Sequence, residues 1–142
     1  MKEVLISIKP EWCELIMSGK KTIEFRKTGP KNKEPFKAII YCSKGGKKIY
    51  QNGHLLNGKV IGEFNSVAHD LGAPRNFPDC LVEYLEKAGC VLYIHMLAYA
   101  EPKPLFGWSI TGYHNYTKPK ELSELGIKRA PQSWQYIKGK NI

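Results

Sequence analysis

The chain has 142 residues, 42% of them hydrophobic and 25% charged, and carries a net charge of +9. That is enough chain for one core, too little for two ordinary domains, and too apolar for a disordered polymer. No apolar run approaches the ~20 residues that span a bilayer, and Pro10 and Glu11 interrupt the N-terminus before a signal-peptide core can form. The reading is one domain over residues 1–142, cytoplasmic, with no membrane partner.

Val4 to Ile8 is a short apolar strand. Pro10 opens a helix, where its missing N–H costs nothing, and Trp12, Leu15 and Ile16 give that helix an apolar face before Gly19 caps it. Thr22 to Arg26 alternates as a strand does, with Ile23 and Phe25 on one side and Thr22, Glu24 and Arg26 on the other. Residues 28–33 form a basic turn. The near-continuous apolar run Ala38–Cys42 predicts a strand covered on both faces, and residues 43–48 a flexible loop. Lys59–Phe64 is a further strand, in which Gly62 signals a bulge or a close backbone approach. Asp79 to Lys87 reads as a helix ended by Gly89. Cys90–Tyr99 fits neither period, Phe106–Tyr116 reads as one strand, Pro119–Leu125 as a helical turn, and Gln132–Ile137 as the strand that closes the sheet. Strands with short helices between them, and no regular βαβ alternation, indicate an α+β domain or a small barrel.

The charge is unevenly placed. Residues 1–59 hold 13 Lys/Arg against 5 Asp/Glu, and residues 20–48 alone hold ten basic against two acidic side chains. Such a block suits either a polyanionic partner or a solvated lysine-rich loop. Cys13, Cys42, Cys80 and Cys90 show no C-x-x-C spacing, so free and mostly buried thiols in a reducing compartment are expected. His54, His69, His95 and His114 are scattered without an H-E-x-x-H pattern, so neither a metal nor another cofactor is expected. Gly45-Gly46-Lys47-Lys48 lacks the spacing of a nucleotide-binding loop.

Gly19 to Arg26 is the most informative segment. A helix ends at a glycine, Lys21 follows at the turn, and the next strand presents Glu24 and Arg26 two residues apart on one face. That row offers a carboxylate, a guanidinium fork suited to phosphate and the Thr22 hydroxyl. Spacing alone equally describes a solvent-facing strand with a surface salt bridge of little energetic consequence. Tyr41, Trp108, Tyr113, Trp134 and Tyr136 are candidates for stacking on bases or for the core.

The spacing G-x-K-x-x-E-x-R, filled by Gly19, Lys21, Glu24 and Arg26, resembles the signature of the ASCH domain family. Leu5 to Pro10, Gly58 to Phe64, Lys118 to Leu122 and Ala130 to Trp134 resemble further segments of its bacterial and phage branch, in the same order. The likeness is weakest over 67–105, and relatives suggest helix near Cys90–Tyr99. The resemblance implies a PUA-like pseudo β-barrel of about five to six strands with short peripheral helices. It implies a cleft beside the signature strand that binds RNA or a nucleobase. Lys9, Thr22, Arg26, Ser43, Gln132, Ser133 and Trp134 are the expected binding residues there. Some relatives are amidohydrolases acting on acylated cytidine, with the lysine at Lys21 catalytic, and others cut RNA. Lys21 and Glu24 would be the catalytic pair if this chain is an enzyme. Those amidohydrolases carry a nucleophilic threonine where Glu24 stands, which puts deacylation by that route in doubt. A transcription-related interaction module is a third reading.

Overall fold

A parallel pair of strands forms the centre of the domain. The computed structural model describes residues 1–31 and 33–137, so Asn32 of the basic turn and the five C-terminal residues lie outside the described residues. β1 (Glu3–Ile8) runs parallel to β3 (Phe36–Cys42), with Val4 opposite Ala38 and Ile8 opposite Cys42. A parallel neighbour needs a crossover, and here it is made by α1 (Pro10–Met17) and β2 (Ile23–Arg26). β4 (Tyr50–Gln51) and β5 (His54–Leu55) form a small hairpin. Then come β6 (Val60–Ser66), β7 (Ala68–Asp70), α2 (Asp79–Gly89), α3 (Tyr93–Ala100), β8 (Phe106–Ser109), β9 (Thr111–Lys120) and β10 (Trp134–Tyr136). Helix α3 occupies the stretch whose periodicity is ambiguous.

The strands make a five-stranded sheet in the order β10-β1-β3-β6-β9 and a three-stranded sheet in the order β2-β8-β7. The expected mixture of strands and peripheral helices is present. β10 pairs with β1 at one edge of the larger sheet; among the described residues no ladder joins it to β9, so hydrogen bonding does not close a cylinder.

One bent pair of strands joins the two sheets. Asn65 faces Thr111 in the first sheet, and three residues on Ala68 faces Trp108 in the second, so the register passes through the break unchanged. Between them the Ser109 N–H donates to the Val67 carbonyl (3.1 Å) and the Val67 N–H to the Ser109 hydroxyl (2.9 Å). Strands that switch sheets at a bend are how such corners are built. The run Phe106–Tyr116 is therefore two strands, broken at Ile110, whose N–H bonds the Thr22 carbonyl (2.9 Å).

The apolar run in β3 is covered on both faces, as its composition predicts. Val4, Ile6, Ile8, Ala38, Ile40 and Cys42 face the main core, while Leu5, Ile39 and Tyr41 pack beneath Leu122, Leu125 and Ile127. A third cluster, with Phe25, Phe77, Leu85, Met96 and Leu105, fixes α2 and α3 against β2. Only Cys13 and Cys42 are buried, whereas Cys80 is exposed and Cys90 half-buried, so burial accounts for two of the four thiols.

Gly89 is the last residue of α2 and not its cap; the left-handed position is Cys90, at φ 56°. Gly89 is small because a Cβ there would stand 2.3 Å from the Phe25 ring. Gly62 combines both of its predicted roles. The β6–β9 register shifts beside it, and a Cβ would meet the His114 carbonyl oxygen at 2.6 Å. Gly62→Ala should therefore cost ~1–3 kcal/mol through forced backbone displacement. Gly45→Ala, with no atom within 4 Å of the new Cβ, should be close to neutral. Urea denaturation of the two variants measures the contrast, and equal stabilities would refute it.

Candidate functional site

Helix α1 ends so as to return the chain toward the sheet. Gly19, at φ 81°, donates its N–H to the Ile16 carbonyl (3.1 Å), and the Lys21 N–H then reaches the Leu15 carbonyl (3.0 Å). This turn brings the Lys21 side chain back beside β2, where its ammonium lies 3.4 Å from Glu24 Oε1. Lys21 also donates to the Gly89 carbonyl and sits over the Trp12 ring, 4.9 Å from its centroid. Lys21 is 2% exposed, Glu24 5% and Arg26 9%, so the row is no solvent-facing strand. The surface-salt-bridge reading fails because α2 and α3 cover a strand that period-2 alternation alone leaves open to water.

Arg26 is fully engaged. Its Nε and Nη2 donate to Glu24 Oε2 at 3.2 and 2.6 Å, and Nη2 also to the Ser7 carbonyl at 2.7 Å. Its Nη1 donates to the Ser133 carbonyl and hydroxyl at 3.3 and 3.2 Å. Five bonds match the five N–H donors of a guanidinium. Arg26 is thus a clamp joining β2 to β1 and to the segment before β10, and it has no open fork for a phosphate.

A cleft of about 1060 Å³ opens over this network. One wall is polar, with Ser7, Lys9, Ser43, Gln132 and Ser133 around the buried Lys21, Glu24 and Arg26. The other is apolar and aromatic, built from Trp12, Phe25, Leu92, Met96, Tyr99 and Leu105. Lys27 stands at Tyr99, its ammonium 5.0 Å from the ring centroid, and Cys90 and His95 complete the α2–α3 side. Burial holds the proton affinity of Lys21 below that of an ordinary lysine; Glu24 opposes this and Arg26 adds to it.

Seven expected site residues meet here: Lys9, Lys21, Glu24, Arg26, Ser43, Gln132 and Ser133. Two do not. Thr22 lies before β2 begins at Ile23, so strand alternation does not reach it, and its exposed side chain points to the Ala88 carbonyl. Trp134 packs edge-on against Trp108 and Tyr136, and its indole N–H donates to the hydroxyl of Thr28 (3.0 Å); Thr28 lines the cleft, whereas Trp134 does not. None of the five aromatic candidates for stacking lines the cleft. Trp108 is core, at 0% exposure. The aromatic groups of the cleft are Trp12, Phe25 and Tyr99. Trp12 carried a legible signal, since it follows Lys9 by three residues on the helix leading into the signature. Leu92, Met96 and Tyr99 carried none, because only the packing of α3 brings them to β2.

A model of the ASCH domain family matches residues 6–125. No curated protein matches the chain. Among solved structures, ASCH from Zymomonas mobilis is similar over 98% of this chain and 90% of its own, at 21% identity and a TM-score of 0.70. A serine-to-alanine mutant of that protein gives a TM-score of 0.67 over 96% of this chain and 89% of its own, and a tyrosine-to-phenylalanine mutant 0.66 over 97% and 91%, each at 21% identity. At that identity the likeness concerns the fold.

Arg26→Met should cost about 3–5 kcal/mol, because it strands the buried Glu24 carboxylate and the Ser7 carbonyl. Arg75→Met, which breaks the exposed Arg75–Glu101 pair, should stay within about 1 kcal/mol. Equal losses in urea denaturation would show that the clamp is not structural. Lys21 has a pH signature as well. Between its lowered folded value and the ordinary ~10.4 of an unfolded lysine, the unfolded chain binds more protons, so this group makes stability rise with pH. Wild type should therefore gain on Lys21→Met as pH is raised from about 8 to about 10. Parallel profiles would contradict the burial of an ionisable amine.

Proposed function

Because the chain belongs to the ASCH domain family, we propose that its cleft binds RNA or a nucleoside. The observation that carries this is the pairing of two unlike walls: a buried, charge-compensated polar network faces an apolar aromatic wall across one concave site. A nucleobase has that duality, with hydrogen-bonding edges and an apolar face. Glu24 accepts from an exocyclic amine, Gln132 and Ser133 read the remaining edge, and Trp12 or Tyr99 covers the ring. Lys9 and Lys27 at the mouth meet phosphate, the part first expected of Arg26. The bend at Val67 and Ile110, which carries one pair of strands from the larger sheet into the smaller, supports reading the two sheets as a PUA-like pseudo-barrel open between β9 and β10.

A second reading is favoured by the lowered proton affinity of Lys21 beside Glu24. In a hydrolase acting on modified cytidine or on RNA, these two groups exchange a proton with the reacting atoms. Glu24 supplies no hydroxyl nucleophile, so deacylation through that position is not expected.

Titration with ribonucleosides and short RNAs, followed by tryptophan fluorescence, tests the cleft. Trp12→Ala should weaken binding by ~1–3 kcal/mol, while Trp134→Phe should leave affinity unchanged. Loss with Trp134→Phe alone would move the stacking site elsewhere. Incubation with acylated cytidines and labelled RNA separates the two readings. A binder retains affinity in Lys21→Arg and changes base preference in Glu24→Gln. An enzyme loses ~10²–10⁴-fold in turnover with either change while binding persists.

A further inference from the structure

On the far side of Ser43 lies a second depression, of about 740 Å³. Lys44, Lys128 and Arg129 line it, together with Tyr41, Leu122 and Glu121. Its one carboxylate is already compensated. Both Glu121 oxygens accept from the Lys59 ammonium, at 2.7 and 2.6 Å, and the same side chain caps the turn Leu122–Leu125. Lys44, Lys128 and Arg129 make no ion pair among the described residues. Lys47 differs, since it is held by Glu14 at 2.8 Å. The stem of Lys44 lies along Gly58, where a Cβ would approach its Cγ to 3.2 Å, so the absent side chain gives this lysine its place in the groove.

The groove and the cleft share a narrow ridge at two places. Ser43 faces the cleft and Lys44 the groove; Gln132 faces the cleft and Ala130 the groove, with only Pro131 between them. Successive Cα atoms are ~3.8 Å apart, so the crossing lies within the reach of one nucleotide. A ligand that ended at its sugar would leave three unpaired cations one step from the site with nothing to meet.

We propose that the Lys44–Lys128–Arg129 groove is a second subsite that takes the phosphates flanking the nucleotide held in the cleft, so that the ligand is a single-stranded polynucleotide. This rests on the nucleobase reading of the cleft. The strand crosses the Ser43 ridge, the cleft supplies base recognition, and the groove supplies sequence-independent affinity.

The test compares fluorescein-labelled RNA hexamers of the four homopolymers with the four ribonucleosides, on wild type and on Lys44→Ala/Lys128→Ala/Arg129→Ala. At least one hexamer should bind wild type about tenfold or more tighter than its nucleoside, with strong salt dependence. The triple variant should lose most of that advantage, and its log–log salt slope should fall by about 2, at roughly 0.7 per phosphate contact. Its nucleoside affinity and melting temperature should be unchanged. A second variant, Lys128→Glu/Arg129→Glu, leaves the Lys44–Gly58 packing intact and should act in the same direction. Hexamers that bind no tighter than nucleosides, or variants with the wild-type slope, would overturn the groove while leaving the cleft standing. Absence of both nucleoside and hexamer binding in wild type would overturn the cleft reading and the groove with it.

Discussion

The burial of three charges beside one another governs how this domain is assembled. Isolated, each would be expelled from the interior by a desolvation cost of several kcal/mol. Together they form a compensated chain in which Glu24 sits between the Lys21 ammonium and the Arg26 guanidinium. The remaining donors are absorbed by backbone, at Gly89 for the lysine and at Ser7 and Ser133 for the arginine. The network stabilises less by its own attraction than by the penalty on every arrangement that breaks it. It therefore specifies where four segments meet: the end of β1, β2, the C-terminus of α2, and the approach to β10.

The cleft follows from that meeting. Its polar side draws on the end of β1, the start of α1, Ser43 after β3, the approach to β10 and the signature strand, and its apolar side on Trp12 of α1, Phe25 of β2, Leu105 and the α3 segment. Residues of both sheets are needed to complete it. Gly89 shows how tightly the halves are joined, since the same residue has no side chain against Phe25 and lends its carbonyl to Lys21.

Much of this was legible in the residues. Pro10, Gly19 and the alternation after Lys21 placed α1, its end and β2, and the apolar run in β3 announced a strand covered twice. What was not legible depended on distant partners. Alternation assigns Glu24 and Arg26 to one face but cannot say that helices some 60 residues away will bury it. Residue type suggested a phosphate fork at Arg26, whereas only geometry shows its donors spent within the fold. Trp134 followed the same pattern, packed edge-on against Trp108 at the edge of the main core. The hairpin at Asn52-Gly53 was different. Both residues adopt positive φ, and the Asn-Gly pair is a recognised turn signal, so that element was present in the sequence and overlooked.

Arg26 reaches back to Ser7 and forward to Ser133, and the Ser7 hydroxyl meets the Pro131 carbonyl across 124 positions of chain. Contacts of such separation carry a large loop-closure entropy, which the other contacts of the fold must offset. With β1, β2 and β3 in place but β10 undocked, Arg26 Nη1 would lack its two partners and the cleft would lack one side. Docking of the segment before β10 and completion of the site are therefore one event, and a chain in which that segment is undocked has no assembled pocket through which to act.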